Sequence, residues 1–189
     1  MGVKTFPYAM PGQPMPRNKP AWAAFQDLAK DYDVRQLPPE TDAIDEAVDV
    51  LVVVHPKNLP DATLYAIDQF VLRGGRLLAF VDPMCLSESM SEENPMGMSR
   101  PVSDLGRLPE AWGLEYAADK VVADLAASTR IRRGDNRIED SPIFLSLRES
   151  NLARDDLATA VLRSLSLPGA GAFTGSGVDG LQVTPLLTT

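Results

Sequence analysis

The sequence predicts an α/β domain of three layers built on a mostly parallel sheet, with added β structure in the C-terminal half. Two observations carry this. Residues 49–83, DVLVVVHPKNLPDATLYAIDQFVLRGGRLLAFVDP, read as strand, loop, helix, tight turn and strand. Two buried strands joined by a helix form a right-handed crossover in which both point the same way. From about residue 121 the pattern changes to short strand-like runs separated by Gly, Asp and Asn, which is strand and turn material.

Within the first stretch, residues 50–54 are a continuous apolar, β-branched run, too short for a helix and suited to a strand covered on both faces. His55 and Pro56 end it. Asp61 is placed to cap the next helix, whose Leu64, Ile67, Phe70 and Val71 fall on one face. Gly74 and Gly75 follow Arg73 where a left-handed helix stop belongs. Residues 77–81 then read as a second buried strand.

Upstream, residues 1–19 form a Pro- and Met-rich loop. Residues 3–8 hold the remnant of a strand, which Pro7 confines to an edge or a strand end. Pro20 opens a helix to about residue 31, with Trp22, Phe25, Leu28 and Ala29 on its apolar side. Residues 32–37 alternate as a short strand that Pro38 and Pro39 stop, and 40–49 are an acidic loop with one helical turn. After Pro83 the apolar period vanishes, so 84–103 read as a long loop. A short helix is expected over 104–112, strands over 121–126, 129–133 and 143–147, and a turn at Gly134, Asp135 and Asn136. Helical turns capped by Asp155 follow over 155–160. Strand-like runs at 162–167 and 181–187 flank a Gly-rich 169–180. The whole is read as one domain: loop 1–19, α/β core 20–112, β-rich extension 113–189.

A net charge of −8 argues against a nucleic-acid surface and against an anionic membrane face. The single cysteine, Cys85, makes no internal disulfide, which suits a reducing compartment and a bacterial periplasm equally. No apolar run is long enough to span a bilayer. The N-terminus lacks the layout of a signal peptide, and Phe6 stands where myristoylation requires Ser or Thr. Taken alone, the chain reads as soluble.

Four features carry chemistry, each beside a plainer reading. The cluster GAGAFTG is one residue off a dinucleotide fingerprint, but a strand-like run follows it where a helix is required, so a flexible turn is the better account. His55, the only histidine, ends a buried strand, where it serves as a general base, a ligand or a loop-fixing hydrogen bonder. Cys85 follows a strand as a nucleophile would, yet Met84 and Leu86 flank it in place of the small residues of a strained elbow. Arg130, Arg132, Arg133 and Arg137 make a small basic patch. On an acidic chain it answers nearby carboxylates such as Glu139 and Asp140 more readily than an anionic partner.

The blocks DVL at Asp49, HPK at His55, LYAIDQFVLRGG from Leu64 and FVDP at Phe80 together resemble the signature segment of the auxiliary component of ABC transporters of the gliding-motility, GldG-like, type. The Pro/Gly/Met loop before the Trp22–Phe25 helix, the Trp112–Gly113 pair and the closing VTPLLTT resemble it too. The resemblance implies a sheet of the flavodoxin or class I glutamine amidotransferase-like type without catalytic residues, metal or cofactor. It also implies an ectodomain on the periplasmic side of the bacterial inner membrane, with membrane helices outside these residues. Its partners would be the permease and ATPase subunits of the same system.

The expected function is therefore that of a non-catalytic extracytoplasmic domain binding a partner protein or a glycan-like ligand. The alternatives are a degenerate hydrolase or amidotransferase-like enzyme using Cys85, His55 and Asp82, and nucleotide binding at the sheet edge. Any ligand site is expected at the carboxyl edge of the sheet, on His55, Lys57 and Asp82, flanked by the Met90–Met98 stretch. A homodimer formed by exchange of the N-terminal segment is a further expectation.

Overall fold

The computed structural model describes residues 2–4, 23–86, 101–132, 134 and 136–189. It divides into two compact units, Met1–Val81 and Asp82–Thr189. The break falls inside the stretch 20–112 that sequence alone treats as one core.

In the first unit, β1 (Gly2–Lys4), β2 (Val50–Val54) and β3 (Arg76–Phe80) form a parallel sheet in the order β1-β2-β3. Val52 pairs with Gly2 on one side and Leu78 on the other. The expected parallel pairing of the two apolar strands is therefore present. Between them runs α2 (Asp61–Leu72), while α1 (Ala23–Asp31) precedes β2 and buries none of its residues. Thr63, Leu64, Ala66, Ile67 and Phe70 form the buried face of α2. On the sheet, Leu51 and Val53 are only 1% exposed. A Cβ at Gly75 would clash with the Phe70 ring, so glycine lets the chain pass this closely into β3.

The ends of α2 differ from each other. Its N-cap position is Pro60, without a side-chain cap, so Asp61 acts from within the first turn, where its charge meets the positive helix end. At the other end Gly74 adopts φ 94°. Gly74 N–H donates to Val71 O and Gly75 N–H to Phe70 O, both at 2.9 Å, which is the paired-bond stop expected from Gly-Gly.

Two expectations in this unit need correcting. Residues 32–37 form no strand. The chain after them is instead strapped to α2: Thr63 Oγ1 donates to Pro39 O at 2.9 Å, and Arg73 Nη2 donates to Ile44 O at 2.7 Å. Nor is β3 buried on both faces. Leu77 and Ala79 share the α2-facing side with Leu51 and Val53, whereas Leu78 and Phe80 are 49% and 51% exposed. β3 lies at the edge of the described sheet, and its side chains alternate accordingly.

The second unit is β-rich. β5 (Ser128–Arg132), β6 (Ile138–Arg148) and β7 (Ser164–Pro168) form an antiparallel sheet, and β4 (Glu115–Tyr116) pairs with β8 (Phe173–Thr174). α3 (Leu108–Ala111) is a single turn, shorter than the helix expected over 104–112. Ala127, Leu145 and Leu147 form a buried cluster with Val122, Leu165 and Leu167 packed against it, and Leu105, Leu108 and Leu152 are buried besides.

β6 is longer than the strand expected over 143–147, and Pro142 explains the difference. The β5–β6 register jumps from Thr129–Ser141 to Ser128–Leu145, so Pro142 sits in an irregularity that needs no ladder N–H from it. The carbonyls freed there are used elsewhere: Asp124 N–H donates to Pro142 O and Gly169 N–H to Ile143 O. Residues 121–126 are tied by such single bonds and form no strand, and 181–187 contribute only the bridge Leu152–Leu187. Residues 155–160 are turns, organised by Asp156 rather than Asp155: its carboxylate accepts from Ala158 N–H at 2.8 Å.

Candidate functional site

The loop between β2 and α2 carries two of the expected site residues. β2 ends at Val54, and His55 then swings into the left-handed region with φ 50°, followed by Asn58 at φ 48°. Neither is glycine, so each costs conformational energy that the surroundings must hold in place. Two contacts do so. His55 N–H donates to Phe80 O at 2.9 Å, carrying the β2–β3 ladder one residue further, and Pro56 is fully buried. His55 and Lys57 are half-buried on this loop, and both are engaged with neighbouring groups.

Asp82, the third expected residue, opens the second unit together with Cys85. Its main chain is held from both directions: Asp82 N–H donates to Ser103 Oγ and Ser103 N–H to Asp82 O, each at 2.8 Å. Ser103 is completely buried. Cys85 N–H donates to Pro101 O at 2.7 Å. This double tie fixes residues 82–85 against 101–103. The Met90–Met98 stretch expected to flank the site lies outside the described residues.

The structure thus brings His55 and Lys57 together on one loop and Asp82 and Cys85 together on another, in different units. Within either unit alone, the described residues gather no three metal-ligating side chains.

An aromatic pair escaped the sequence reading. Tyr116 on β4 stacks on Phe173 of β8 with ring centroids 5.0 Å apart. The Tyr116 hydroxyl is buried with no hydrogen-bond partner among the described residues. Burial, and behind it the charges of Asp82 and Asp104, push its pKa well above the ordinary tyrosine value. The two strands are two residues long and distant in sequence, so no periodicity announces them.

The Gly-rich stretch has a packing role. A Cβ at Gly171 would stand 2.9 Å from the Tyr116 ring and 3.1 Å from Pro83, and one at Gly169 would meet Met84. β8 follows these glycines, not a helix, so they do not form a dinucleotide loop. Of the basic residues, Arg130 pairs with Asp140 at 3.3 Å across β5 and β6, as its plainer reading expects, with both side chains exposed. Arg133 lies outside the described residues.

A family model described as an ABC-type uncharacterized transport system, of auxiliary type, matches residues 8–189. No curated protein and no solved structure matches the chain.

Proposed function

From the membership of this chain in the family of auxiliary components of ABC-type transport systems, we propose that it is a non-catalytic extracytoplasmic domain through which such a transporter engages a partner protein. The observation that carries the reading is the family match over nearly the whole chain. The catalytic alternative gains nothing from the site, where Cys85 lacks the small neighbours of a nucleophile elbow. No described helix is long and apolar enough to cross a membrane.

The finer parts of the proposal are the GldG-like type, the periplasmic side of the bacterial inner membrane, and contact with permease and ATPase subunits. The three-layer flavodoxin- or amidotransferase-like arrangement belongs with them. Its support is the parallel register of β1, β2 and β3 with α2 on one face. The recognition surface we assign is the loop bearing His55 and Lys57; Asp82, on the second unit, is a separate candidate contact. A glycan-like ligand is the competing occupant of that surface.

The test is affinity purification of the tagged full-length gene product from solubilised membranes. Recovery of permease and ATPase subunits is expected, reduced by His55→Ala with Lys57→Glu. Recovery of neither subunit sinks the reading. So does amidase or esterase turnover by the purified chain that Cys85→Ser abolishes.

A further inference from the structure

Among the described residues β3 has a neighbour on one side only. At the two ends of its pairing with β2, Arg76 N–H donates to Asp49 O and the Phe80 carbonyl accepts from His55 N–H. Strand alternation then turns the N–H and C=O groups of Leu77, Ala79 and Val81 away from β2. No described residue bonds to them from that side. Edge strands are ordinarily blunted by lysine, proline or a bulge. Between Arg76 and Val81 there is neither lysine nor proline, and the single charge, Arg76, stands at the end of the run Arg-Leu-Leu-Ala-Phe-Val.

We propose that β3 is the seam of a homodimer, in which two copies of the chain pair β3 against β3 in antiparallel fashion about a two-fold axis through Ala79. The sequence matches itself in this register. Ala79 faces Ala79 of the second copy, and Leu77 faces Val81, so the outward backbone groups of all three exchange both hydrogen bonds. On the exposed face Leu78 stands opposite Phe80 of the second copy, and these are the two side chains left half-exposed on β3. One step further, Arg76 stands opposite Asp82, an opposite-charge pair that the symmetry makes twice. Beyond it Pro83, which has no N–H, meets Gly75, and pairing stops there. Shifting the axis to Leu78 would place Arg76 against Phe80 and leave Asp82 facing Gly74, so the charges select one register. A three-stranded sheet would become a continuous six-stranded one across the axis.

This dimer differs from exchange of the N-terminal segment and does not depend on the transport reading. It is tested by sedimentation of the 189-residue chain over a concentration series. A reversible dimer in the micromolar range is expected. Arg76→Asp, which sets like charges opposite each other twice, should weaken it at least tenfold with an unchanged circular dichroism spectrum. Asp82→Arg added to that variant should restore the dimer. Ala79→Pro should give monomers, because residue 79 sends its N–H away from β2 and loses no bond within the described sheet. If Ala79→Pro fails to fold, the charge exchange still decides. A wild-type chain that stays monomeric overturns the proposal. So does a dimer that survives Arg76→Asp, or a folded double variant that does not re-associate.

Discussion

In the Met1–Val81 unit the interior is a helix laid on a parallel sheet, with Phe70, Leu51 and Val53 at 1% exposure or less. In the Asp82–Thr189 unit Ala127, Leu145 and Leu147 form one small cluster with partly exposed neighbours around it, and Leu105, Leu108 and Leu152 are buried outside that cluster. Much of that unit is instead held by single main-chain bonds and by close approaches at glycine, as at Gly113, where a Cβ would lie 2.6 Å from the backbone of Gly177 and Val178. The difference teaches where each unit is vulnerable. The first fails by losing side-chain volume; the second fails by gaining it.

The strongest way to break this contrast is Phe70→Ala, which should cost the first unit about 3–5 kcal/mol by transfer and cavity terms together. Leu147→Ala should cost about 2–3 kcal/mol, toward the low end of such changes, because its partly exposed neighbours can relax into the space. Chemical denaturation measures both, and a larger loss at Leu147 would reverse the ranking. Gly171→Ala adds one methyl against Tyr116 and Pro83 and should cost about 1–3 kcal/mol. No loss there would mean that the glycine serves flexibility and not close approach. Thr63→Val, which leaves Pro39 O without its donor, should cost about 1 kcal/mol in thermal unfolding.

The smallest effect sharpens the contrast by pH. The folded chain holds the Tyr116 proton more tightly than the unfolded one, because burial and the nearby Asp82 and Asp104 disfavour the phenolate. The unfolded tyrosine releases its proton near pH 10. Stabilisation from this group is therefore complete below about pH 10 and is lost as pH rises from there through the folded value. Tyr116→Phe should flatten that alkaline fall in melting temperature. Near neutral pH it should leave stability unchanged or slightly raised, since it removes a buried hydroxyl that has no described partner. An unaltered alkaline fall in the variant would assign it to other groups.

What could be read from the chain follows the same division. Residues 50–54 and 61–75 announce themselves because a β-branched run, a helical apolar period and a Gly-Gly stop all agree. The loop after β2 is legible in position, as the end of a buried strand, but not in conformation: nothing in His-Pro-Lys-Asn demands positive φ at both His55 and Asn58. Residues 32–37 alternate like a strand, yet the bonds from Thr63 and Arg73 that hold the following loop come from a helix far along the chain. In the second unit Pro142 hides the first half of β6, because a proline inside a strand is tolerated only with a bulge that the partner strand supplies. The stack of Tyr116 on Phe173 was invisible for a related reason. Two-residue strands have no period, and their partner is chosen by the fold.

The last residues are tied down more firmly than their exposure implies. Ala153 N–H donates to Leu186 O at 2.9 Å, Thr188 N–H donates to Asn151 O at 3.0 Å, and Asn151 Nδ2 returns a bond to Thr188 O at 3.0 Å. A fluorophore attached just after Thr189 would consequently sit on an anchored stem. Its polarisation decay would report the motion of the residues it is anchored to and not a local wagging, which makes that position a good place to listen for a partner arriving.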